Sequence, residues 1–435
     1  MFYDYLNLNA KSVQWPQTKY SVEAIQKSNS QIVHIPVDSS NVLITGVTGY
    51  GKTVFTKKLV QNILYNSPNI QAVFFQIKPD DFTKMFLHPE DKIITFNNKL
   101  CDEKNLFKWN MIKEIRTLPQ NRWEEKLEEL SSILFSDLLE DKRNITWAYG
   151  AKELFKGFLK VILYCYSNNP SNFNIINDLR NTNVSDLLKF LWQYPPNRSM
   201  LKDNFEYDIT KNNYRINKKG SDILFFHQSV IGQFGGSFMS RNGNDTIHDY
   251  MKGKYGSRLF ILHDHQSKES SKLFERFFLK TIIDEKLSLV SSHHEKMLMV
   301  LDEIDKVGYD FGLIEASTLG RQFQLQVIIS TQSLNSLYAL APVKHGKELI
   351  DSSLSGFPMM VVFHPGDPHT IETYQKLFGK KSKQILCMPL SRYDKPSIIN
   401  EENPIVEDED FASLDVGECY VKYRSFDPER VKIII

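Results

Sequence analysis

The sequence predicts an α/β protein built on a largely parallel sheet, and three observations carry that expectation. Apolar runs of strand length recur along the chain, among them Val42-Leu43-Ile44, Gln71 to Ile77 and Met297 to Leu301. Such runs fit strands buried on both faces, as in a parallel sheet covered by helices. The first run opens directly into the glycine-rich octet Gly46-Val47-Thr48-Gly49-Tyr50-Gly51-Lys52-Thr53, with a helical pattern after it. From about Asn105 to Tyr214 the pattern becomes helical with few strand candidates, after which the alternation of strands and helices resumes.

Taken in order, residues 1–40 read as short strands and turns leading into the core. Val42 to Ile44 is the strand before the glycine-rich loop, and Gln71 to Ile77, ended by Lys78-Pro79-Asp80-Asp81, is a strand beside it. Lys92 to Phe96 is a third. In the helical stretch, Trp123, Leu127, Leu130, Leu134 and Leu138 keep a 3–4 spacing, as do Leu154, Phe158, Val161 and Ile162. Ser185-Asp186 reads as a helix start and Pro195-Pro196 as its stop. Leu259 to Leu262 is then a strand, Lys268 to Val290 a long amphipathic helix, and Met297 to Leu301, Val327 to Ser330 and Met359 to Phe363 are buried strands. Gly417 to Tyr423 reads as a late edge strand.

Composition sets the bounds. A chain of 435 residues exceeds one ordinary domain, and 41% hydrophobic with 24% charged residues is a globular balance. The formal net charge of +1 carries no overall basic signal, so nucleic-acid contact must come from local patches or from subunits ringed around a pore. Cys101, Cys165, Cys387 and Cys419 are far apart, which reads as a reduced, cytoplasmic complement and neither a zinc site nor a disulfide framework. Met1 to Tyr5 has no signal-peptide pattern, and the longest apolar run, Leu154 to Tyr166, is broken by Lys156 and Lys160. No run approaches the roughly 20 apolar residues of a membrane span, so a soluble chain is expected.

The octet fits G-x-x-x-x-G-K-[ST], the phosphate-binding loop, in its required strand–loop–helix setting. Gly46, Thr48, Gly49, Gly51 and Val54 belong to the cradle whose backbone N–H groups close around phosphates. Lys52 reaches the β- and γ-phosphates, and the Thr53 hydroxyl ligates Mg²⁺. Met297 to Leu301 ends in Asp302-Glu303: Asp302 is placed to hold Mg²⁺ and Glu303 to polarise the water that attacks the γ-phosphate. The alternative is a buried strand that surfaces at a charged turn. Gln332, at the carboxyl end of the Val327–Ser330 strand, can sense the γ-phosphate, orient the water, or simply bond its own loop. Arg321 can reach a neighbouring subunit's γ-phosphate or pair with a local carboxylate. Lys211, Tyr214, Arg215, Lys218 and Lys219 form one basic cluster and Lys380, Lys381 and Lys383 a second, both small enough to be solvated surface. His293-His294-Glu295 has no further ligand at suitable spacing and reads as a solvated loop.

The order Gly46–Thr53, helical insert, Leu301-Asp302-Glu303, Gly320-Arg321, Thr331-Gln332-Ser333 resembles the type IV secretion coupling proteins, the VirD4/TraG/TraD/TrwB group of the FtsK–HerA motor superfamily. The resemblance runs through most of the chain. Phe75 to Phe82 is similar to that group's strand end rich in aspartate and proline, Asn105-Leu106-Phe107 opens the insert where its all-α domain begins, and Phe363 to Thr370, with Leu377-Phe378-Gly379, matches its late strand and helix. The resemblance implies a RecA-like P-loop motor domain, residues 1–104 and 216–435, with an all-α insertion at 105–215. It implies ATP and Mg²⁺ as cofactors, a homo-hexamer that pumps DNA, and secretion-channel or relaxosome proteins as partners. Lys52, Glu303, Arg321 and Gln332 take catalytic roles, Arg321 from the neighbouring subunit. Three departures stand out: Gln76 where the family carries aspartate, Tyr50 at a loop position held by a small residue, and no N-terminal transmembrane helices. Two other readings stand beside the secretion motor: a soluble HerA-like ATPase in DNA repair or phage defence, which would also lack membrane helices, and a nucleotide-gated adaptor that recruits cargo, against which the complete Asp302-Glu303 pair argues. Membrane contact would then come only through a partner, recruiting a cytoplasmic protein to the inner face.

Overall fold

Fifteen strands are described: β1 (Tyr20–Gln26), β2 (Ile32–Val37), β3 (Val42–Thr45), β4 (Gln71–Gln76), β5 (Lys92–Thr95), β6 (Glu206–Asp208), β7 (Asn213–Arg215), β8 (Arg258–Leu262), β9 (Met297–Leu301), β10 (Leu325–Thr331), β11 (Met359–Val362), β12 (Lys380–Cys387), β13 (Ser397–Pro404), β14 (Glu418–Tyr423) and β15 (Glu429–Ile433). The computed structural model describes residues 15, 20–78, 80–97, 100–135, 138–139, 143–208, 213–234, 238, 241–253, 256–263, 269–288, 296–307, 312–339, 346–387 and 397–434. The chain divides into two compact units, Met1–Gln76 with Leu289–Ile435, and Ile77–Ser288.

In the first unit the strands run in the order β2-β1-β15-β14-β11-β3-β10-β9-β4. The stretch β11-β3-β10-β9-β4 is parallel, and every residue of these five strands is buried. That burial on both faces is why they read as continuous apolar runs. Between β3 and β4 the chain forms α1 (Lys52–Asn66), which buries Phe55, Leu59, Val60 and Ile63 at helical spacing. The fold is thus α/β with a largely parallel centre, extended on one side by antiparallel strands.

That extension corrects one expectation. Gly417 to Tyr423 does not form an edge, because β14 lies between β11 and β15, antiparallel to both. After Tyr423 the chain turns through Arg424, held at φ 50, and returns as β15. There Val431 and Ile433 are buried on either side of the exposed Lys432, a half-covered pattern that a search for solid apolar runs passes over. The hairpin of β1 and β2 then completes this side of the sheet.

In the second unit β5 and β8 pair in parallel. Its helices start at polar caps: the side chains of Asn110, Ser171, Asn183, Asn217 and Thr246 each accept from a backbone N–H three residues on. The helix expected to begin at Ser185-Asp186 therefore starts a residue or two earlier, Val184–Trp192 behind Asn183, and Pro195-Pro196 separate it from Asn197–Asn204. Trp123–Leu134 and Ile145–Cys165 follow the leucine and phenylalanine spacings, and Glu269–Ser288 is the long helix expected from 268 to 290. Glu128 accepts from Lys152 and from Lys156, the latter at 2.6 Å, tying two of these helices together. Among the described residues no helix is long and apolar enough to cross a membrane.

Candidate active site

The phosphate-loop segment leaves β3 at Thr45 and enters α1 at Lys52 through three left-handed glycines, Gly46 (φ 147), Gly49 (φ 92) and Gly51 (φ 111). Gly51 occupies the cap position of α1, no side chain caps that end, and no acidic residue lies in its first turn. The N-terminal N–H groups of a 15-residue helix therefore point at a place chemically suited to an anion. The loop is braced from both sides: Gly46 N donates to the Thr331 carbonyl at 3.3 Å, Val47 N to that of His364 at 2.9 Å, and Gly417 N to that of Tyr50 at 3.0 Å. A Cβ on Gly46 would sit 2.7 Å from the Cβ of Phe363, so glycine is required there twice, by torsion and by space. Around Gly49 nothing lies within 4 Å of such a Cβ.

Lys52 is buried, and its ammonium donates to the Gly46 carbonyl across the loop. Thr53 is half-buried in the first turn of α1, Val54 faces outward, and Thr48 and Gly49 are exposed. The Tyr50 ring lies 4.8 Å from that of His364, tilted by 37°. These positions fit a nucleotide: a hydroxyl, an ammonium and the first-turn N–H groups of α1 surround an open loop crest.

Parallel register brings the acids to the same end of the sheet. Phe75, Leu301 and Ile329 are neighbours across β4, β9 and β10, and Thr331, Thr45 and Val362 are neighbours across β10, β3 and β11. The next residues along are Gln76, Asp302, Gln332, Gly46 and Phe363, so all of them line the carboxyl ends of the strands, where open α/β sheets place ligands. Asp302 is 4% exposed and accepts from the Ser330 hydroxyl. Glu303 is held left-handed at φ 49, ψ 53, and its N–H donates to Ser330 Oγ at 3.0 Å. Gln332 is half-buried, with no hydrogen bond among the described residues.

Arg321 is not brought to this cluster. It lies in the Gly320–Phe323 turn that precedes β10, and the seven residues of β10 separate it from Gln332. At about 3.3 Å per residue that is roughly 20 Å, so Arg321 stands at the other end of the sheet from its own phosphate loop. It is exposed and makes no ion pair among the described residues. Its charge is felt by Tyr423, whose phenol is pushed up to about 12 by burial and by its bond to Asp38, with Arg424 and Arg321 opposing.

Sequence reasoning missed several parts. Ser330, which joins the two acids, and Phe363-His364, which brace the loop, become visible only through strand register. Asp367 is another: it caps Pro368–Phe378 and accepts from Ser333 Oγ at 2.7 Å and Thr370 Oγ1 at 2.7 Å. Burial pushes its carboxyl up, but those bonds hold it below the usual range. The D-P-x-T spacing was a readable cap signal. Of the basic clusters, the Lys380 ammonium lies 3.9 Å from the Glu402 carboxylate across the hairpin, and the Lys383 backbone is in register with that of Glu401. Lys218 is exposed and Lys219 half-buried at the start of the helix Lys218–Gln233, whereas Lys211 and His293-His294-Glu295 lie outside the described residues.

Comparison with known proteins gives the arrangement a family. Among solved structures the chain is similar to the bacterial conjugative coupling protein TrwBdeltaN70 in its unbound form (TM-score 0.68, 16% identity, 97% of this chain and 90% of that chain). It is also similar to plasmid coupling protein TrwB in complex with ADP and Mg²⁺ (TM-score 0.66, 17% identity, 93% and 88%) and to VirB4 of Thermoanaerobacter pseudethanolicus (TM-score 0.55, 11% identity, 96% and 98%). At such identities the likeness is one of fold. No curated protein matches the sequence. The model of the type IV secretion-system coupling protein DNA-binding domain matches residues 32–392. With most of its length inside that match, the chain belongs to the type IV secretion-system coupling protein family.

Proposed function

We propose that this chain hydrolyses Mg-ATP at the subunit interfaces of a homo-hexameric ring and uses the cycle to translocate DNA. The observation that carries this reading is the division of the chemistry along β10. The phosphate loop, Asp302, Glu303 and Gln332 stand at one end of the strands, with the exposed Arg321 at the other. One copy supplies the acids and its neighbour the arginine. In this reading residues 105–215 are an all-α insertion between the two nucleotide-binding segments, 1–104 and 216–435.

TrwB is known with ADP and Mg²⁺ and with a non-hydrolysable ATP analogue, which supports ATP and Mg²⁺ as the ligands here. Gly46, Thr48, Gly49, Gly51 and Val54 contribute loop and helix N–H groups to the phosphates. Lys52 exchanges its bond to the Gly46 carbonyl for a phosphate oxygen. Thr53 and Asp302 are the residues that would hold Mg²⁺, which when bound neutralises charge on the β- and γ-phosphate oxygens. Glu303 orients and polarises the attacking water, Gln332 positions that water or senses the γ-phosphate, and Arg321 of the neighbour offsets transition-state charge. The cargo route is DNA handed to secretion-channel or relaxosome proteins, by a cytoplasmic ring that meets the membrane's inner face through a partner.

The test is ATPase activity with and without single- and double-stranded DNA, alongside native mass measurement with an ATP analogue. DNA-stimulated turnover and a six-copy species are expected. Lys52→Ala and Glu303→Gln should abolish turnover, the second with ATP still bound. Wild-type turnover in Glu303→Gln overturns the catalytic assignment, and DNA-independent binding without hydrolysis points to the adaptor.

A further inference from the structure

We propose that Ser330 is the positioning residue that sets both acids of the site, so that one hydroxyl couples metal holding to water polarisation. The proposal rests on the reading of Asp302 and Glu303 given above. Ser330 is 1% exposed in β10, and parallel register places it beside Asp302. Its hydroxyl hydrogen goes to Asp302 Oδ1, while its oxygen accepts the Glu303 N–H at 3.0 Å. A serine hydroxyl has one donor and two acceptor sites, so both bonds can be made at once. Each restrains a degree of freedom that the chemistry needs fixed. The first sets the plane of the Asp302 carboxylate. The second holds the peptide of Glu303, whose left-handed torsions (φ 49, ψ 53) a β-carbon disfavours. Such a conformation persists only where its surroundings over-determine it, and Ser330 Oγ is the bond that meets this N–H. Loss of the hydroxyl removes a restraint on the Glu303 peptide and one on the Asp302 carboxylate at once.

The experiment measures a fluorescent ATP analogue binding to full-length protein in EDTA and across a Mg²⁺ titration, alongside turnover, for wild type, Ser330→Ala, Ser330→Cys and Ser330→Thr. Partners of metal-holding residues typically govern metal affinity and activity by about 10–100-fold. Ser330→Ala is therefore expected to raise the half-saturating Mg²⁺ concentration and lower kcat by about 10–100-fold, with analogue affinity in EDTA unchanged. Ser330→Thr, which keeps the hydroxyl, should restore both. Ser330→Cys, nearly isosteric but a poor donor, should behave as Ser330→Ala and serves if the alanine protein does not fold. Wild-type Mg²⁺ dependence in folded Ser330→Ala or Ser330→Cys overturns the proposal, as does a loss of affinity already present in EDTA. Glu303→Gln is run in parallel: if it turns over like wild type, the reading of the acids has failed, independently of Ser330.

Discussion

Gly46→Ala and Gly49→Ala change the same atom in the same loop, and the structure predicts that they fail differently. At Gly46 the new methyl meets the Phe363 Cβ at 2.7 Å, the Phe363 carbonyl carbon at 3.1 Å and the His364 oxygen at 3.2 Å. None of these is the far end of a flexible side chain. Phe363 N is bonded to the Thr45 carbonyl at 2.8 Å and the His364 carbonyl to Val47 N, so relief requires breaking the brace. Forcing an L-residue to φ 147 costs about 1–3 kcal/mol, and overpacking against fixed backbone adds about 1–3 kcal/mol. Gly49→Ala incurs the torsional cost alone, since its Cβ would meet nothing within 4 Å. The two should therefore differ by about 1–3 kcal/mol in the opening of the segment from β3 through α1. Hydrogen exchange read by mass spectrometry on peptides spanning residues 42–66 reports that opening directly. Protection should fall in both variants and fall further in Gly46→Ala, by about fivefold or more, while Gly49→Ala also loses nucleotide affinity as its N–H is re-aimed. Equal protection in the two variants, or a larger loss in Gly49→Ala, would refute the steric account of the brace.

Three other expectations are open to measurement. Arg321→Ala should lower turnover by about 10³-fold or more while nucleotide affinity holds, and added to wild type it should inhibit more than its share, because one copy spoils a shared site; linear dilution in a mixing titration would contradict action in trans. His227 is fully buried with neither ring nitrogen bonded among the described residues, and burial holds it at about 4 against 6.5 when unfolded. The unfolded chain takes up the proton first, so stability falls as pH drops from about 6.5 to 4, by roughly 3 kcal/mol at full extent. His227→Leu should raise stability at neutral pH by about 1–2 kcal/mol and flatten that dependence in urea titrations at pH 7 and 5. Burial pushes the Glu128 carboxyl up, but Lys152 and Lys156 hold it at about 2, so its contribution is present above about 4.5 and fades as pH falls through 2. Glu128→Gln should destabilise the helical unit near pH 7 in thermal melts, and the gap from wild type should close in acid.

The parallel core was legible because burial on both faces writes itself into sequence as solid apolar runs, and β3, β4, β9, β10 and β11 all obey that rule. Half-covered strands were not. β15 alternates Val431, Lys432 and Ile433, and the mistaken edge at β14 followed from missing it. Within the site, the glycines, Lys52, Thr53 and the Asp302-Glu303 pair stood out because their chemistry is carried by contiguous residues. Ser330 and Phe363-His364 act on partners 28 and more than 300 residues away, through register alone. No local pattern encodes that distance. The pairing of Lys380 with Glu402, 3.9 Å away across the hairpin, was likewise out of view in a local basic run.

The strand order also dictates when the nucleotide unit can be assembled. β3 is flanked by β10 and β11, so neither of its partners exists until the ribosome has passed Leu325. Meanwhile Ile77–Ser288 has emerged complete from the ribosome. Pairing of distant strands is slow because the intervening loop must be closed first. The nascent chain thus carries the whole of that unit alongside the unpaired apolar strand β3, a stretch suited to chaperone capture. Folding of the phosphate loop is then a late event, completed when Gly417 arrives to meet Tyr50.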